Sequence, residues 1–84
     1  MLLTIDIGNT NIALGVFKED ILKATWRLAT DPRRMPDEYG MTILNLLPVR
    51  GISSSDIDAV VVCSVVPTLT QAFTELSQSF FNDT

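Results

Sequence analysis

The chain has 84 residues, fewer than the roughly 100 to 150 of a common domain, so it can form one domain at most. It contains no histidine and one cysteine, which excludes a zinc cluster, a Ser-His-Asp triad and a disulfide framework within the chain. Its formal net charge of -4 argues against non-specific binding to nucleic acid or to an anionic membrane surface.

The N-terminal segment, the length of the apolar runs and the single cysteine bear on cellular location. No basic segment precedes Leu2, and Asp6 interrupts the first apolar run too early for a signal peptide. No apolar run approaches the roughly 20 residues of a membrane span. Cys63 lies in the apolar run at residues 59–66, where we predict a small buried side chain rather than a reactive thiol. We therefore expect a soluble, reduced, cytoplasmic protein with no nucleic-acid and no membrane partner.

Three strands are predicted in the first third of the chain. Residues 2–7 are apolar or β-branched except for Asp6, which is typical of a strand covered on both faces, and they end at the turn residues 8–10. Residues 11–17 and 21–28 continue the extended pattern, with a polar turn between them. Because parallel neighbours need a crossover of about a dozen residues, these short connections predict antiparallel pairing.

A helix is predicted after a polar loop at residues 29–35. Pro36 suits a first helical turn, and Asp37 and Glu38 lie favourably near the positive end of the helix dipole. The helix should end before Pro48. Its predicted apolar stripe consists of Tyr39, Ile43, Leu46 and Leu47.

A fourth strand and a second helix complete the predicted order. Residues 59–66 form the longest apolar run, which predicts a central strand rather than a half-exposed one. A helix should begin at Pro67, with a sheet-facing side made of Leu69, Phe73, Leu76 and Phe80. The order β-β-β-α-β-α is that of an α/β, ribonuclease-H-like half-domain, truncated, with a mixed sheet in the strand order 3-2-1-4.

The segment from Asp6 to Asn11 contains the most informative chemistry. Gly8 lacks a Cβ, so backbone N–H groups there can approach an anion closely, and Asn9, Thr10 and Asn11 add side-chain donors. Asp6 offers the hard oxygen that Mg²⁺ prefers, directly or through a water. A carboxylate repels phosphate unless a cation lies between them, so the combination favours a magnesium-nucleotide ligand. A plain hairpin turn is the alternative interpretation.

Other polar and aromatic side chains have two interpretations each. Arg27, Arg33 and Arg34 could contact phosphate, but a solvated loop is the favoured interpretation. Ser64 could face a cleft at the end of its strand, or it could cap or pack that end. Trp26 is favoured as a core or interface anchor over a base-stacking platform.

Four segments together resemble a known family. Asp6-Ile7-Gly8-Asn9-Thr10 resembles the first phosphate motif of the type III pantothenate kinases, which are members of the acetate and sugar kinase, Hsp70 and actin superfamily. Three further segments resemble that family in the same order, namely residues 26–30, 37–39 and 64–67. The resemblance extends over essentially the whole chain.

The resemblance implies transfer of the ATP γ-phosphoryl group to the 4′-hydroxyl of pantothenate, the first committed step of coenzyme A biosynthesis. By the residue match, Asp6 would help to hold Mg²⁺, while Gly8, Asn9, Thr10 and Asn11 would cradle the ATP phosphates. The family also uses a monovalent cation, K⁺ or NH₄⁺, and works as a homodimer. Its members have also been called Bvg accessory factor, a transcriptional regulator.

The chain departs from the family pattern in one large respect. The family's Gly-x-Asp-Arg segment, which supplies the catalytic base and holds pantothenate, has no counterpart in these residues, nor do its second phosphate motif and its cation ligands. We therefore expect residues 1–84 to form a single N-terminal ATPase-like domain, incomplete relative to the family, without a catalytic residue and without kinase activity alone. The alternative is a non-catalytic regulatory or assembly module of the accessory-factor type. Its DNA-binding version is disfavoured by the acidic balance.

Overall fold

The computed structural model of the chain describes residues 1–31 and 33–81. The chain order of its main elements is β1 (Leu2–Ile7), β2 (Asn11–Lys18), β3 (Ile21–Ala29), α1 (Pro36–Leu46), β4 (Ala59–Ser64) and α2 (Pro67–Phe81). Short 3-10 turns at Leu47–Arg50 and Ser54–Asp56 lie between α1 and β4. The predicted order β-β-β-α-β-α is confirmed.

The four strands form one mixed sheet in the order β3-β2-β1-β4. β1 runs antiparallel to β2 and parallel to β4, so Ile7 at the end of β1 pairs with Ser64 at the end of β4. The α/β class and the strand order 3-2-1-4 predicted from the sequence are therefore confirmed. This pairing brings the β1–β2 turn and the start of α2 to the same edge of the sheet.

The core lies between one face of the sheet and the two helices. Alternate residues of β1 and β2 point into it, as the period of a strand requires. The predicted stripe of α1 is buried at Tyr39 and Ile43 and half-buried at Leu46, and its last member, the buried Leu47, begins the 3-10 turn that follows α1. The buried side chains contributed by α2 are Leu69, Phe73, Leu76, Ser77 and Phe81.

The end of α2 differs from the prediction. Phe80 was expected on the buried stripe, but Phe81 is the buried ring there and Phe80 is half-buried against the core. The reason lies in α1, where Gly40 leaves room for the Phe80 ring to lie over its backbone. The ring therefore covers the contact between the two helices instead of entering the space between helix and sheet.

The prediction for β4 is wrong in two respects. β4 is an edge strand in the described part of the chain, and its side chains alternate between exposed and half-buried. Cys63, predicted as a buried side chain, is an exposed free cysteine. The alternation and the exposure of Cys63 have one cause: the helices pack on one face of the sheet, so every second residue of an apolar strand points to the other face. We call that other face the open face; it includes Leu2, Thr4, Asp6, Ala13, Gly15, Ala59, Val61 and Cys63.

The connection from β3 to α1 contains no helix in its described residues, as the polar loop predicted, and Pro32 lies outside the described residues. Met35 precedes α1 as its N-cap, and Glu38 reaches back to accept a hydrogen bond from the Met35 N–H at 3.0 Å. Neither helix in the described ranges is long and apolar enough to cross a membrane.

Candidate functional site

A tight turn at residues 8–11 joins β1 to β2. The Gly8 N–H donates to the Asn11 carbonyl oxygen at 2.9 Å, which closes the turn. A Cβ on Gly8 would lie 3.2 Å from that same oxygen, which is tighter than ordinary contact. The close approach of the two backbones therefore accounts for glycine at this position. The side chains that follow it, Asn9, Thr10 and Asn11, are exposed.

The backbone donors of the turn divide into two kinds. Gly8 uses its N–H inside the hairpin, so its contribution to a site is the shape of the turn. The N–H groups of Asn9 and Thr10 have no hydrogen-bond partner within residues 1–31 and 33–81. Such groups need water or a ligand as acceptor. The open donors therefore lie one and two residues after the glycine.

The side chains of the turn add further donors at the surface. The Asn11 Nδ2 lies 3.4 Å from the Thr10 Oγ1, a long contact that leaves both groups free to exchange partners. Gly8, Asn9, Thr10 and Asn11 are thus brought together on one turn, as the sequence predicts.

Asp6 lies at the end of β1 with its side chain on the open face. It is exposed, and it pairs in register with Ala13 of β2 on one side and with Cys63 of β4 on the other. In the described part of the chain its carboxylate has no hydrogen bond and no ion pair. The carboxylate is therefore free to accept a cation or a metal-bound water. Asp6 also lines a shallow depression of ≈ 280 Å³ on the open face, together with Ala13 and Gly15 among others.

The chemistry of these residues fits Mg²⁺ held mainly by water. The described residues contain no group of three His, Cys, Asp or Glu side chains that could hold a metal ion. Mg²⁺ loses its waters reluctantly and is often bound through one or two carboxylates together with substrate phosphates. Asp6 can supply one such carboxylate, and the donors of the turn can take phosphate oxygens.

Thr30, which follows β3, contacts the turn at two points. Its Oγ1 donates to the Gly8 carbonyl oxygen at 2.9 Å, and its backbone N–H donates to the Thr10 carbonyl oxygen at 3.0 Å. Sequence reasoning assigned Thr30 no role of its own. The available signal was its position: the last residue of β3 pairs with the first of β2, so a polar residue just after β3 must lie beside the turn.

The residues after Thr30 are anchored on α1. The Tyr39 hydroxyl donates to the Asp31 carbonyl oxygen at 2.7 Å and accepts from the Asp31 N–H at 2.8 Å. The Tyr39 ring is fully buried, with its centroid 4.9 Å from that of Phe73 in α2. The Arg34 Cζ lies over the Tyr39 ring, 5.9 Å from its centroid.

Arg33 forms an ion pair with Asp31 at 3.1 Å. The hydrogen bonds from the Arg33 side chain and backbone hold the pKa of the Asp31 carboxyl below its ordinary value of 3.8. The Arg33 side chain is 90% exposed and that of Asp31 is 31% exposed, so solvent screens the pair and it contributes little to stability. Arg33 is thus already engaged by Asp31, in agreement with the solvated loop that the sequence favours.

The remaining candidates take structural positions. The Ser64 hydroxyl accepts from the Val66 N–H at 2.9 Å and donates to the Val66 carbonyl oxygen at 3.0 Å, which fits the capping interpretation of the strand end. Trp26 is half-buried against the core, as expected of a core anchor. Arg27 is exposed and pairs in register with Ala13, the strand neighbour of Asp6.

Comparison with known proteins gives a consistent set of relatives. A sequence model of the family described as type III pantothenate kinase matches residues 2–84. The type III pantothenate kinase of Geotalea uraniireducens (strain Rf4) is 47% identical over 81 residues, which are 96% of this chain and 32% of that protein. That of Moorella thermoacetica is 50% identical over 76 residues, 90% of this chain and 30% of that protein. That of Listeria innocua serovar 6a is 43% identical over 82 residues, 98% of this chain and 32% of that protein. The chain thus spans about a third of the length of the curated relatives it matches.

Proposed function

The chain belongs to the type III pantothenate kinase family, and on that premise we propose that it is the N-terminal, ATP-phosphate-binding part of a pantothenate kinase. The whole enzyme would phosphorylate pantothenate with ATP in the first step of coenzyme A biosynthesis. One observation carries the proposal. At the end of β1, a carboxylate without a hydrogen bond or ion pair in the described residues, Asp6, is followed by two backbone N–H groups without a partner there, those of Asn9 and Thr10.

Each residue of the site has a separate role in this proposal. Asp6 accepts Mg²⁺ or one of its waters, and the ion neutralises the repulsion between carboxylate and phosphate. The N–H groups of Asn9 and Thr10, with the side chains of Thr10 and Asn11, donate to phosphate oxygens. Gly8 allows the close turn that aims these donors outward. Phosphoryl transfer relies mainly on positioning and neutralisation of charge, which is the kind of work this turn can do.

The proposal extends to the whole chain as one unit. Residues 1–84 form a single N-terminal ATPase-like domain, without a catalytic residue and without turnover of its own. This is supported by the absence of a Gly-x-Asp-Arg sequence in these residues and by relatives about three times as long. The monovalent cation, the homodimer and the cytoplasmic location of the family resemblance belong to this proposal as properties of the whole enzyme.

Calorimetric titration of the chain tests the site. We expect weak binding of ATP that requires Mg²⁺, because metal-free ATP would meet the Asp6 carboxylate without a cation between them. Asp6→Asn keeps the shape and removes the charge, and it should weaken Mg-ATP binding at least about tenfold, or ~1.4 kcal/mol.

Asp20→Asn is the matched control, since Asp20 is an exposed carboxylate in the β2–β3 turn. It should leave the affinity for Mg-ATP unchanged. The proposal fails if wild type shows no magnesium-dependent binding, or if Asp6→Asn and Asp20→Asn bind equally well.

A non-catalytic assembly module is the second candidate function, and the open face favours it. Exposed apolar side chains on and beside this face include Leu22, Val61 and Val65, which are 51%, 49% and 69% exposed. Exposed apolar patches on a small domain mark contacts with other protein. This candidate predicts a stable oligomer with no response to nucleotide, so sedimentation of a monomer at high concentration would count against it.

A further inference from the structure

We propose that Thr30 is a positioning residue: its hydroxyl sets the direction of the Asn9 N–H and so prepares the turn for phosphate. The inference rests on the proposed function, since it concerns the same turn. It adds a residue that follows β3 and acts on the turn through the backbone.

The argument starts from the planarity of one peptide bond. The Gly8 carbonyl and the Asn9 N–H belong to the same trans peptide unit, so they point in opposite directions. The Thr30 Oγ1 donates a hydrogen bond to the Gly8 carbonyl oxygen at 2.9 Å. Fixing the carbonyl therefore fixes the N–H on the other side of the plane, and the Asn9 N–H has no partner in the described residues.

A second contact prevents the turn from pivoting about the first. The Thr30 backbone N–H donates a hydrogen bond at 3.0 Å to the carbonyl oxygen of Thr10, which lies two residues after Gly8. One residue thus restrains the Gly8–Asn9 and the Thr10–Asn11 peptide units, which lie on either side of the Asn9–Thr10 unit. A single bond would allow rotation about its axis, whereas two bonds to alternate carbonyls define an orientation.

Thr30 itself stands on a rigid support. The backbone of the next residue, Asp31, forms two hydrogen bonds with the Tyr39 hydroxyl: its N–H donates to the hydroxyl oxygen and its carbonyl oxygen accepts from the hydroxyl. Tyr39 is fully buried against Phe73. A chain of contacts thus connects the buried Tyr39 through Asp31 and Thr30 to the turn. A site restrained in this way loses less conformational freedom when a ligand binds.

Removing the hydroxyl should therefore loosen one peptide unit and leave the metal-binding carboxylate alone. In Thr30→Val the Gly8–Asn9 peptide loses the bond that orients it, while the Thr30 backbone bond to Thr10 remains. Phosphate binding must then order this peptide unit itself, and a cost equal to one neutral hydrogen bond corresponds to about fivefold in affinity. Thr30→Ser retains the hydroxyl and should restore binding.

The test uses the whole chain, with Mg-ATP as the probe and amide NMR as the readout. Variants are Thr30→Val, Thr30→Ala, Thr30→Ser and Thr25→Val, the last being the same change at an exposed threonine earlier on β3. We expect Thr30→Val and Thr30→Ala to shift the Asn9 amide signal of the free chain and to weaken Mg-ATP binding about fivefold. Thr30→Ser and Thr25→Val should match wild type in both measurements.

The outcomes separate the inference from the function beneath it. A wild type that fails to bind Mg-ATP removes the proposed function and the inference with it. A wild type that binds, together with a Thr30→Val or Thr30→Ala variant of equal affinity and unshifted Asn9 signal, overturns the inference alone. If Thr30→Val unfolds, NMR signals throughout the chain will move. The comparison of Thr30→Ala with Thr30→Ser then decides whether the hydroxyl positions the turn.

Discussion

At the scale of single residues, Glu19 stands out because its backbone has φ 58°, the left-handed region that side chains other than glycine rarely adopt. It occupies the first position of the two-residue turn between β2 and β3, since Lys18 pairs with Ile21. A positive φ in a two-residue hairpin turn favours glycine, which has no Cβ to oppose it.

Glu19→Gly should raise the free energy of unfolding by about 0.5–1 kcal/mol. Relief of about 1–2 kcal/mol of left-handed strain exceeds the entropy that glycine adds to the unfolded chain. Urea unfolding measures the difference. Asp20→Gly is the control, because Asp20 has no positive φ and should lose stability. Equal losses in both variants would contradict this account of the turn.

The site residues show what single positions reveal from sequence. The prediction that Gly8, Asn9, Thr10 and Asn11 share one turn needed only the local turn chemistry. Which donors are open could not be read in that way, because the Gly8 N–H is used by an oxygen three residues away. Thr30 was missed as a contributor because its contact with Gly8 exists only after β3 pairs with β2.

At the scale of elements, the contact between α1 and α2 depends on the absence of a side chain. A Cβ at Gly40 would clash with the Phe80 ring, lying 2.7 Å from its Cδ2 atom. Glycine normally weakens a helix interior by about 1 kcal/mol relative to alanine. Its presence in α1 is explained by this close packing.

Gly40→Ala should therefore lower the free energy of unfolding by about 1–2 kcal/mol, since overpacking outweighs the gain in helix propensity. Thermal and urea unfolding measure it. Asn45→Ala, on the exposed side of the same helix, is the control and should be neutral or slightly stabilising. A Gly40→Ala variant more stable than wild type would mean that the ring moves aside at no cost.

The strands show where periodicity suffices and where it does not. In β2 polar and small residues alternate with apolar ones, so its buried face can be read from the sequence. The prediction that β1 is covered on both faces is wrong, because Asp6 is exposed on the open face. β4 is apolar on both faces, and its pattern cannot tell whether both are covered. Its exposed Cys63 follows from the position of the helices, which is a property of the assembled sheet.

At the scale of the whole molecule, the strand order 3-2-1-4 was predictable because connection lengths decide which strands can be antiparallel neighbours. The same order brings Ile7 beside Ser64, so the turn and the start of α2 meet at one edge. The proposed function rests on that edge, and its residue Asp6 also lies on the open face.

The most direct test follows the backbone amides of the whole chain by NMR while Mg-ATP is added, with metal-free ATP as the parallel titration. The account predicts saturable changes concentrated at Asn9 and Thr10, together with Asp6, that appear only when magnesium is present. Changes confined to open-face residues other than Asp6, changes that do not need the metal, or no change at all would contradict it.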